Sequence, residues 1–344
     1  MILLLMFITF LITLVFILFF IKNAEKFGFV DIPNERSMHT KPIPRGAGIA
    51  FVLSSLLVSL ILILSGYNNL NRYYLVYIAI ALIFSGGVLD DKKGISPKAK
   101  FLFIFLGTLI LYSGGIYIRT LGTYLGHELL LPAFLTFPFT FFAIAGFTNA
   151  LNLLDGLDGL AGTVSIVILG AFMWIGYLHH DELMVMLSTI FIASLMAFLL
   201  FNWNPARVFM GDSGSLTLGF VISILAIRAT NYISPTAVLF ILAIPVLDTF
   251  VVMTRRIQRG KSPFSADKNH MHHILFKRYE DVKYTVIVIV YIQIAFTMIG
   301  YQLRDADDFL SLVLFGILFF IFLSLLDQRK KHRKKSMESL KIGK

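Results

Sequence analysis

Eleven apolar runs follow one another along this chain, near residues 2–21, 47–66, 73–89, 101–118, 133–151, 162–178, 183–201, 214–229, 235–254, 284–302 and 309–326. Each is close to the roughly 20 residues that a helix needs to cross ~30 Å of hydrocarbon. Inside a bilayer only a helix or a closed barrel satisfies its own backbone N–H and C=O groups. The runs also leave no room between them for a soluble domain. The expected fold is therefore an all-α polytopic membrane protein of about 11 transmembrane helices. Composition agrees, because the 344 residues are 57% hydrophobic and only 15% charged, against about a quarter charged in soluble domains.

A net charge of +10 would suit a nucleic-acid binder if it were spread over one surface, but its distribution argues otherwise. With the N-terminus outside, segments 22–45, 90–100, 152–161, 202–213, 255–283 and 327–344 carry 26 of the 30 Lys and Arg residues. The opposite side holds only Arg72, Arg119, Arg228 and Arg304. This asymmetry follows the positive-inside rule and makes the first group of segments and the C-terminus cytoplasmic. The partner it implies is a lipid bilayer, with no nucleic acid. The first run lacks a basic n-region and a small-residue cleavage site, so it is expected to stay as a span. Cysteine is absent, which excludes disulfides and thiolate metal sites. Residues 1–326 are expected to form one membrane catalytic domain. The tail 327–344, with six basic residues and His332 between Arg329 and Lys335, is expected to be disordered and to rest on anionic headgroups.

Polar residues in such a chain are costly unless they face water or a site. The densest group is Asn149-Ala-Leu-Asn-Leu-Leu-Asp-Gly-Leu-Asp-Gly-Leu-Ala-Gly162. Three-residue spacing puts Asn149, Asn152 and Asp155 on neighbouring faces of a helix, and Gly156 and Gly159 favour its end. Asp90 and Asp91 close the third run ahead of Lys92, Lys93, Lys98 and Lys100. Paired carboxylates call for a cation or proton between them, although a solvated helix cap explains them equally well. Gly211-Asp-Ser-Gly-Ser215 precedes an apolar helix whose first N–H groups could receive an anion; Asp212 or Ser213 could instead cap it. Asp248 lies within the ninth run just after Pro245, so that helix is expected to be broken near the proline. An ionisable residue there is a functional candidate with Arg or a metal as partner.

Two basic loops complete the set. Segment 31–48 has three prolines, which forbid a continuous helix, and its basic residues with His39 could meet an anion or simply set topology. The longest loop holds His270-Met-His-His273. Zinc is one reading of it, but the carboxylates favour a harder ion and the same imidazoles suit a phosphate or sugar. All these candidates fall in segments expected on the cytoplasmic side, so loops 22–45, 90–100, 152–161, 202–213 and 255–283 are expected to form one active site. Carboxylates, amides, His and Lys around one membrane face are what metal-assisted phosphoryl transfer needs. An ion-coupled transporter also uses intramembrane carboxylates and broken helices, but places them near the midplane.

The motifs Asp90-Asp91, Asn149-x-x-Asn152-x-x-Asp155-Gly-x-Asp158-Gly-Leu-Ala161, Asn204-Pro-Ala-x-x-Phe-Met-Gly-Asp212-x-Gly-Ser215 and Pro245-x-x-Asp248-Thr resemble the polyprenyl-phosphate N-acetylhexosamine-1-phosphate transferase family. Arg36-x-x-His39 and the His270–His273 loop look like its WecA/TagO branch. The resemblance runs from about Asp31 to His273. It departs at Gly46-Ala47-Gly48, where the family often has Gly-Gly, and at Met271 in the His motif. It implies transfer of N-acetylglucosamine-1-phosphate from UDP-GlcNAc to undecaprenyl or another polyprenyl phosphate, with Mg²⁺ (Mn²⁺ as a substitute) and release of UMP, at a bacterial-type plasma membrane. A phospho-MurNAc-pentapeptide transferase of the MraY branch and a UDP-GalNAc-type enzyme are the alternatives, and a homo-oligomer is left open.

The resemblance also implies roles. Asp248 would lead the metal ligands, joined by Asp90 or Asp91, and Asp90 would also position the lipid phosphate. Asn149, Asn152, Asp155, Asp158 and Asp212 would place the diphosphate, metal and nucleotide. Lys100, Arg36 and His39 would hold phosphate, and His270, His272 and His273 the sugar diphosphate. Direct attack and a covalent aspartyl step both remain open.

Overall fold

All eleven apolar runs are helical in the computed structural model, which describes residues 2–33, 42–66, 72–262 and 270–342, with side chains through Leu326. The helices are α1 (Ile2–Phe27), α2 (Gly48–Leu64), α3 (Tyr74–Lys93), α4 (Pro97–Ser113), α5 (Ala133–Leu154), α6 (Leu160–Leu178), α7 (Glu182–Asn202), α8 (Gly211–Ala229), α9 (Pro235–Ile241), α10 (Ala243–Gln258), α11 (Met271–Tyr279), α12 (Val282–Gln302) and α13 (Asp308–Ile342). Two small antiparallel pairs join them, β1 (Val30–Asp31) with β2 (Ile43–Pro44) and β3 (Thr120–Tyr124) with β4 (His127–Leu130). The protein is thus an all-α polytopic membrane protein.

Eight of the described helices are long and apolar enough to span, and α9 with α10 passes the same test as a bent pair, the geometry of a broken span or a re-entrant loop. The expectation of about 11 exceeds this because α2 and α4 have only 17 residues each, the short end of what can cross. In α4 the first turn, Pro97-Lys-Ala-Lys100, is polar and shortens the apolar stretch further.

α8 is the centre of the molecule. Its apolar window is 94% buried, against 17% for α1 and for the apolar part of α13, whose outer faces are left for lipid. α8 packs on α2, α3, α5 and α6, and it gets close by means of glycines. A Cβ on Gly87 of α3 would lie 2.6 Å from Ser213 Cα, and one on Gly48 of α2 would lie 2.2 Å from Gly214 N. The first turn of α8 is therefore pressed against the ends of two neighbouring helices.

The ninth apolar run is broken near Pro245, as expected, although the proline itself does not make the break. The bend between α9 and α10 is 86° and falls at Leu242, not at Pro245. Pro245 sits in the first turn of α10, where its missing N–H has no intrahelical partner to lose. The backbone groups freed at the break are met from α12. Gln293, fully buried, donates from Nε2 to Ile241 O (2.7 Å) and accepts Ile244 N–H on Oε1 (3.1 Å).

At the end of the bundle away from the candidate residues, the hairpin β3–β4 is stitched to α9 and α13 by Asp308, which is 2% exposed. Its carboxylate accepts the N–H groups of Thr123 (2.8 Å) and Thr236 (2.9 Å) and the hydroxyl of Ser234. Nearby, Asp181 Oδ2 accepts Arg228 Nε (2.9 Å) and the hydroxyl of Tyr232 (2.8 Å), tying the α6–α7 turn to the far end of α8. The hairpin had no counterpart in the pattern of apolar runs. Nor did the helicity of the basic tail: α13 continues to Ile342, through a stretch free of Gly and Pro until Gly343.

Candidate active site

The two adjacent carboxylates at the end of α3 do different work. Asp91, with a side chain 0% exposed, accepts Asp212 N–H on Oδ1 (2.8 Å) and Ser213 N–H on Oδ2 (2.9 Å). The anion at the N-terminus of α8 is therefore supplied by the protein itself. Neither Asp212 nor Ser213 caps the helix with its own side chain. Asp90 points elsewhere. It accepts Ile95 N–H (2.8 Å) and pairs with Lys100 Nζ (2.5 Å). The cation expected between the adjacent pair is placed differently: Lys100 pairs with Asp90 and not with Asp91, whose oxygens are taken by backbone N–H groups.

Lys100 also reaches Asp212, so one ammonium joins two carboxylates from α3 and α8. Asp212 Oδ1 in turn accepts from Asn152 Nδ2 (3.2 Å), which also donates to Ser215 Oγ (2.8 Å). Four residues singled out in the sequence thus form a continuous polar chain, Asp90–Lys100–Asp212–Asn152, across four helices. Asn149, one turn before Asn152, is exposed and outside this chain.

α5 ends at Leu154, and the glycines do what their position suggested: Gly159, at φ 77°, starts α6. Between them lies Asp155, whose carboxyl is pushed up to about 7 by burial first and then by the nearby Asp212 and Asp91 carboxylates. Among the described residues none donates a hydrogen bond to it. Asp158 has a different occupation. It accepts Asn204 Nδ2 (2.8 Å) and Ala206 N–H (3.0 Å), so it holds the turn between α7 and α8. Asn202 supports the same turn by accepting Gly159 N–H (2.9 Å) and donating to Val208 O (2.9 Å).

The His loop meets this junction directly. Asp248 on α10 is 2% exposed and binds His270 Nδ1 (2.8 Å) and Met271 N–H (2.5 Å), holding the start of α11. His272, 1% exposed, lies against the Asp155–Gly156 turn, so that a Cβ on Gly156 would come within 2.4 Å of its Nε2. Burial drives His272 down to about 3, keeping it neutral, and neither ring nitrogen has a hydrogen-bond partner among the described residues. His273 lies tilted against it at 47°, ring centroids 4.3 Å apart. Arg36 and His39 lie outside the described residues.

Two residues at the site were not singled out individually, Ser215 being only the end of a motif and Arg45 one of the basic residues of segment 31–48. Ser215 completes the Asn152 contact, and Arg45 faces Asp91 (3.8 Å) and Asp212 (4.0 Å). The signal for Arg45 was the glycine that follows it, since a residue beside a forced close approach of backbone is itself brought to that contact.

No group of three or more His, Cys, Asp or Glu suited to a metal ion occurs among the described residues. A magnesium ion needs less, one or two carboxylates with waters and phosphate oxygens completing its shell. The oxygen donors present fit that demand: Asp155, a crowded carboxylate without a hydrogen-bond donor, lies beside Asp212. Asp248, Asp91 and Asp90, the expected ligands, are engaged by His270 and Met271, by the α8 N–H groups and by Lys100 respectively.

The profile of glycosyl transferase family 4 matches residues 73–230, which takes in α3 through α8. Over 326 residues the chain is 34% identical to the probable undecaprenyl-phosphate N-acetylglucosaminyl 1-phosphate transferase of Bacillus subtilis (strain 168), covering 93% of this chain and 90% of that one. The undecaprenyl-phosphate alpha-N-acetylglucosaminyl 1-phosphate transferases of Yersinia pestis and Escherichia coli (strain K12) are 32% and 30% identical to it. Each alignment covers 91% of this chain and 88% of the relative.

Proposed function

This chain belongs to the undecaprenyl-phosphate N-acetylglucosaminyl 1-phosphate transferases of glycosyl transferase family 4, and from that premise we propose that it transfers N-acetylglucosamine-1-phosphate from UDP-GlcNAc to undecaprenyl phosphate. An oxygen of the lipid phosphate attacks the sugar-bearing phosphorus, a new P–O–P bond forms, and the bond to UMP breaks with the electron pair leaving on UMP. The product would be the first lipid-linked sugar of a cell-envelope glycan.

The observation that carries this reading is the junction of Asp90, Lys100, Asp212 and Asn152 beside the Asp155 turn and the His270–His273 loop. It sits at helix ends, where a soluble nucleotide and a membrane lipid can both arrive. Lys100 keeps two carboxylates at contact distance, and Asp91 fixes the first turn of α8 so that Asp212 and Asn152 face the same space. Neutral His272 offers ring nitrogens to a hydroxyl or phosphate group. Asp155 and Asp212 would hold Mg²⁺, which supplies charge neutralisation for the diphosphate when bound. The cytoplasmic face of a bacterial plasma membrane is supported by the 26 of 30 basic residues in the segments at this end.

The test is mass spectrometry of the lipid product made by the purified protein from a panel of UDP-sugars with undecaprenyl phosphate and Mg²⁺. Lipid-linked GlcNAc with equimolar UMP is expected. Product from UDP-MurNAc-pentapeptide alone would move the chain to the MraY branch, and no product from any sugar nucleotide would overturn the reading.

A further inference from the structure

We propose that Arg45 contacts substrate, its guanidinium receiving a phosphate oxyanion at the mouth of the site; this rests on the transferase reading above. The backbone beneath Arg45 is fixed on both sides. Its N–H donates to Phe29 O (3.0 Å), the N–H groups of Gly46 and Ala47 both donate to Phe209 O (3.2 and 2.9 Å), and Gly48 N–H donates to Met210 O (2.8 Å). Gly46 is at φ +92°, and a Cβ there would meet Asp91 Oδ2 and the Phe29 ring at 3.3 Å. The segment is wedged between β1 and the first turn of α8, so the origin of the Arg45 side chain is set to within a small range.

The tip is held more loosely. The side chain is 48% exposed, with Nε 3.8 Å from Asp91 Oδ1 and Nη2 4.0 Å from Asp212 Oδ1. A charge-assisted N–H···O bond closes to about 2.7–2.9 Å, so these are attractions across a gap. Both carboxylates already have donors of their own. Asp91 takes two α8 N–H groups, and Asp212 takes Lys100 and Asn152. An arginine serving only to neutralise them has little left to do there. A fork of donors on a rigid base, half in water and aimed at the polar junction, matches a phosphate group bidentately.

The shared ligand chemistry is a phosphate oxyanion, from either the diphosphate of the sugar nucleotide or the lipid phosphate. Kinetics with the full-length protein separate the two sources. We would measure kcat and KM for UDP-GlcNAc and for undecaprenyl phosphate, with Tm in the same detergent, for wild type, Arg45→Gln and Arg45→Lys. Loss of charge-assisted hydrogen bonds predicts a kcat/KM roughly 10- to 100-fold lower for Arg45→Gln, with Tm unchanged and partial recovery in Arg45→Lys. A raised KM for the nucleotide assigns the diphosphate, a raised KM for the lipid assigns the acceptor, and a fall in kcat alone assigns the transition state. Wild-type kcat/KM for both substrates in Arg45→Gln overturns the proposal. So does a loss that follows a lowered Tm and vanishes in Arg45→Lys. A wild type that makes no lipid-linked sugar overturns the transferase reading, and this proposal with it.

Discussion

The side-chain amide of Gln293 on α12 donates to the main-chain carbonyl of Ile241 at 2.7 Å, and its oxygen accepts the N–H of Ile244 at 3.1 Å. One side chain therefore supplies both halves of the backbone bonding interrupted where α9 turns into α10. A break at membrane depth is tolerated only when such groups are met from within the protein. Replacing Gln293 by Leu leaves a buried donor and a buried acceptor unmet, at a cost of about 1–3 kcal/mol. The expected result is a lower Tm in detergent and a weaker transferase, because α10 carries Asp248. An unchanged Tm would show that the break is supported by other contacts.

Asp91 and Asp90 are neighbours that should fail differently. Asp91→Ala removes the acceptor of two α8 N–H groups, and losing a helix cap costs about 0.5–2 kcal/mol. Asp90→Asn keeps an acceptor for Ile95 N–H but removes the charge facing Lys100. Thermal melts paired with turnover should therefore show a stability defect for Asp91→Ala and mainly an activity defect for Asp90→Asn. Equal Tm losses in the two variants would contradict this division.

The Asp155 carboxyl, raised to about 7, makes a prediction about pH. Its unfolded value is near 3.8, so between roughly pH 4 and 7 the folded state holds a proton that the unfolded state has lost. Stability from this group is full below pH 4, declines as pH rises, and levels off above 7. The Tm of metal-free protein should fall across that window, and Asp155→Asn should flatten the fall. Added Mg²⁺ should raise Tm more at pH 8 than at pH 5.5, because the ion binds the carboxylate and not the acid. A Mg²⁺ effect independent of pH and of Asp155 would remove this residue from the metal proposal.

Two glycines of the same region give a matched comparison. A Cβ on Gly156 would lie 2.4 Å from His272 Nε2, whereas one on Gly146 meets nothing within 4 Å. Gly146→Ala on α5 should be neutral or stabilising by up to about 1 kcal/mol. Gly156→Ala should displace the His loop and lower turnover severalfold. Equal activity in the two variants would mean that the docking of these loops does not matter to the reaction.

Much of this was legible in the sequence, for reasons that differ from residue to residue. The spans show because hydrocarbon demands long apolar helices, and the turn at Gly156–Gly159 shows because glycine ends helices. Asp90, Lys100, Asn152 and Asp212 show because charge and amide groups are rare in such a chain. What each carboxylate does was not legible. Asp91 and Asp158 are acceptors for backbone N–H groups in other segments, at residues 212–213 and 206, and nothing local to either aspartate announces a partner so distant. The position of the break followed the same pattern. Pro245 marked the neighbourhood, but the bend sits where Gln293, some fifty residues on, could mend it. The hairpin β3–β4 was hidden because its short strands lie between two apolar runs and carry no period of their own.

The first turn of α8, with its anion already installed, has a consequence for selectivity. A vacant helix start attracts whatever small anion is at hand, and a membrane enzyme works in a cell full of inorganic phosphate. With Asp91 occupying that berth, free phosphate finds no ready-made cradle there. On the proposed reading, recognition would then fall to Lys100, Asn152 and the imidazoles of the His loop, with Mg²⁺ if it binds at Asp155 and Asp212. A small free anion would then meet only one of these groups at a time, whereas a sugar nucleotide carries a diphosphate and a sugar that could engage several at once.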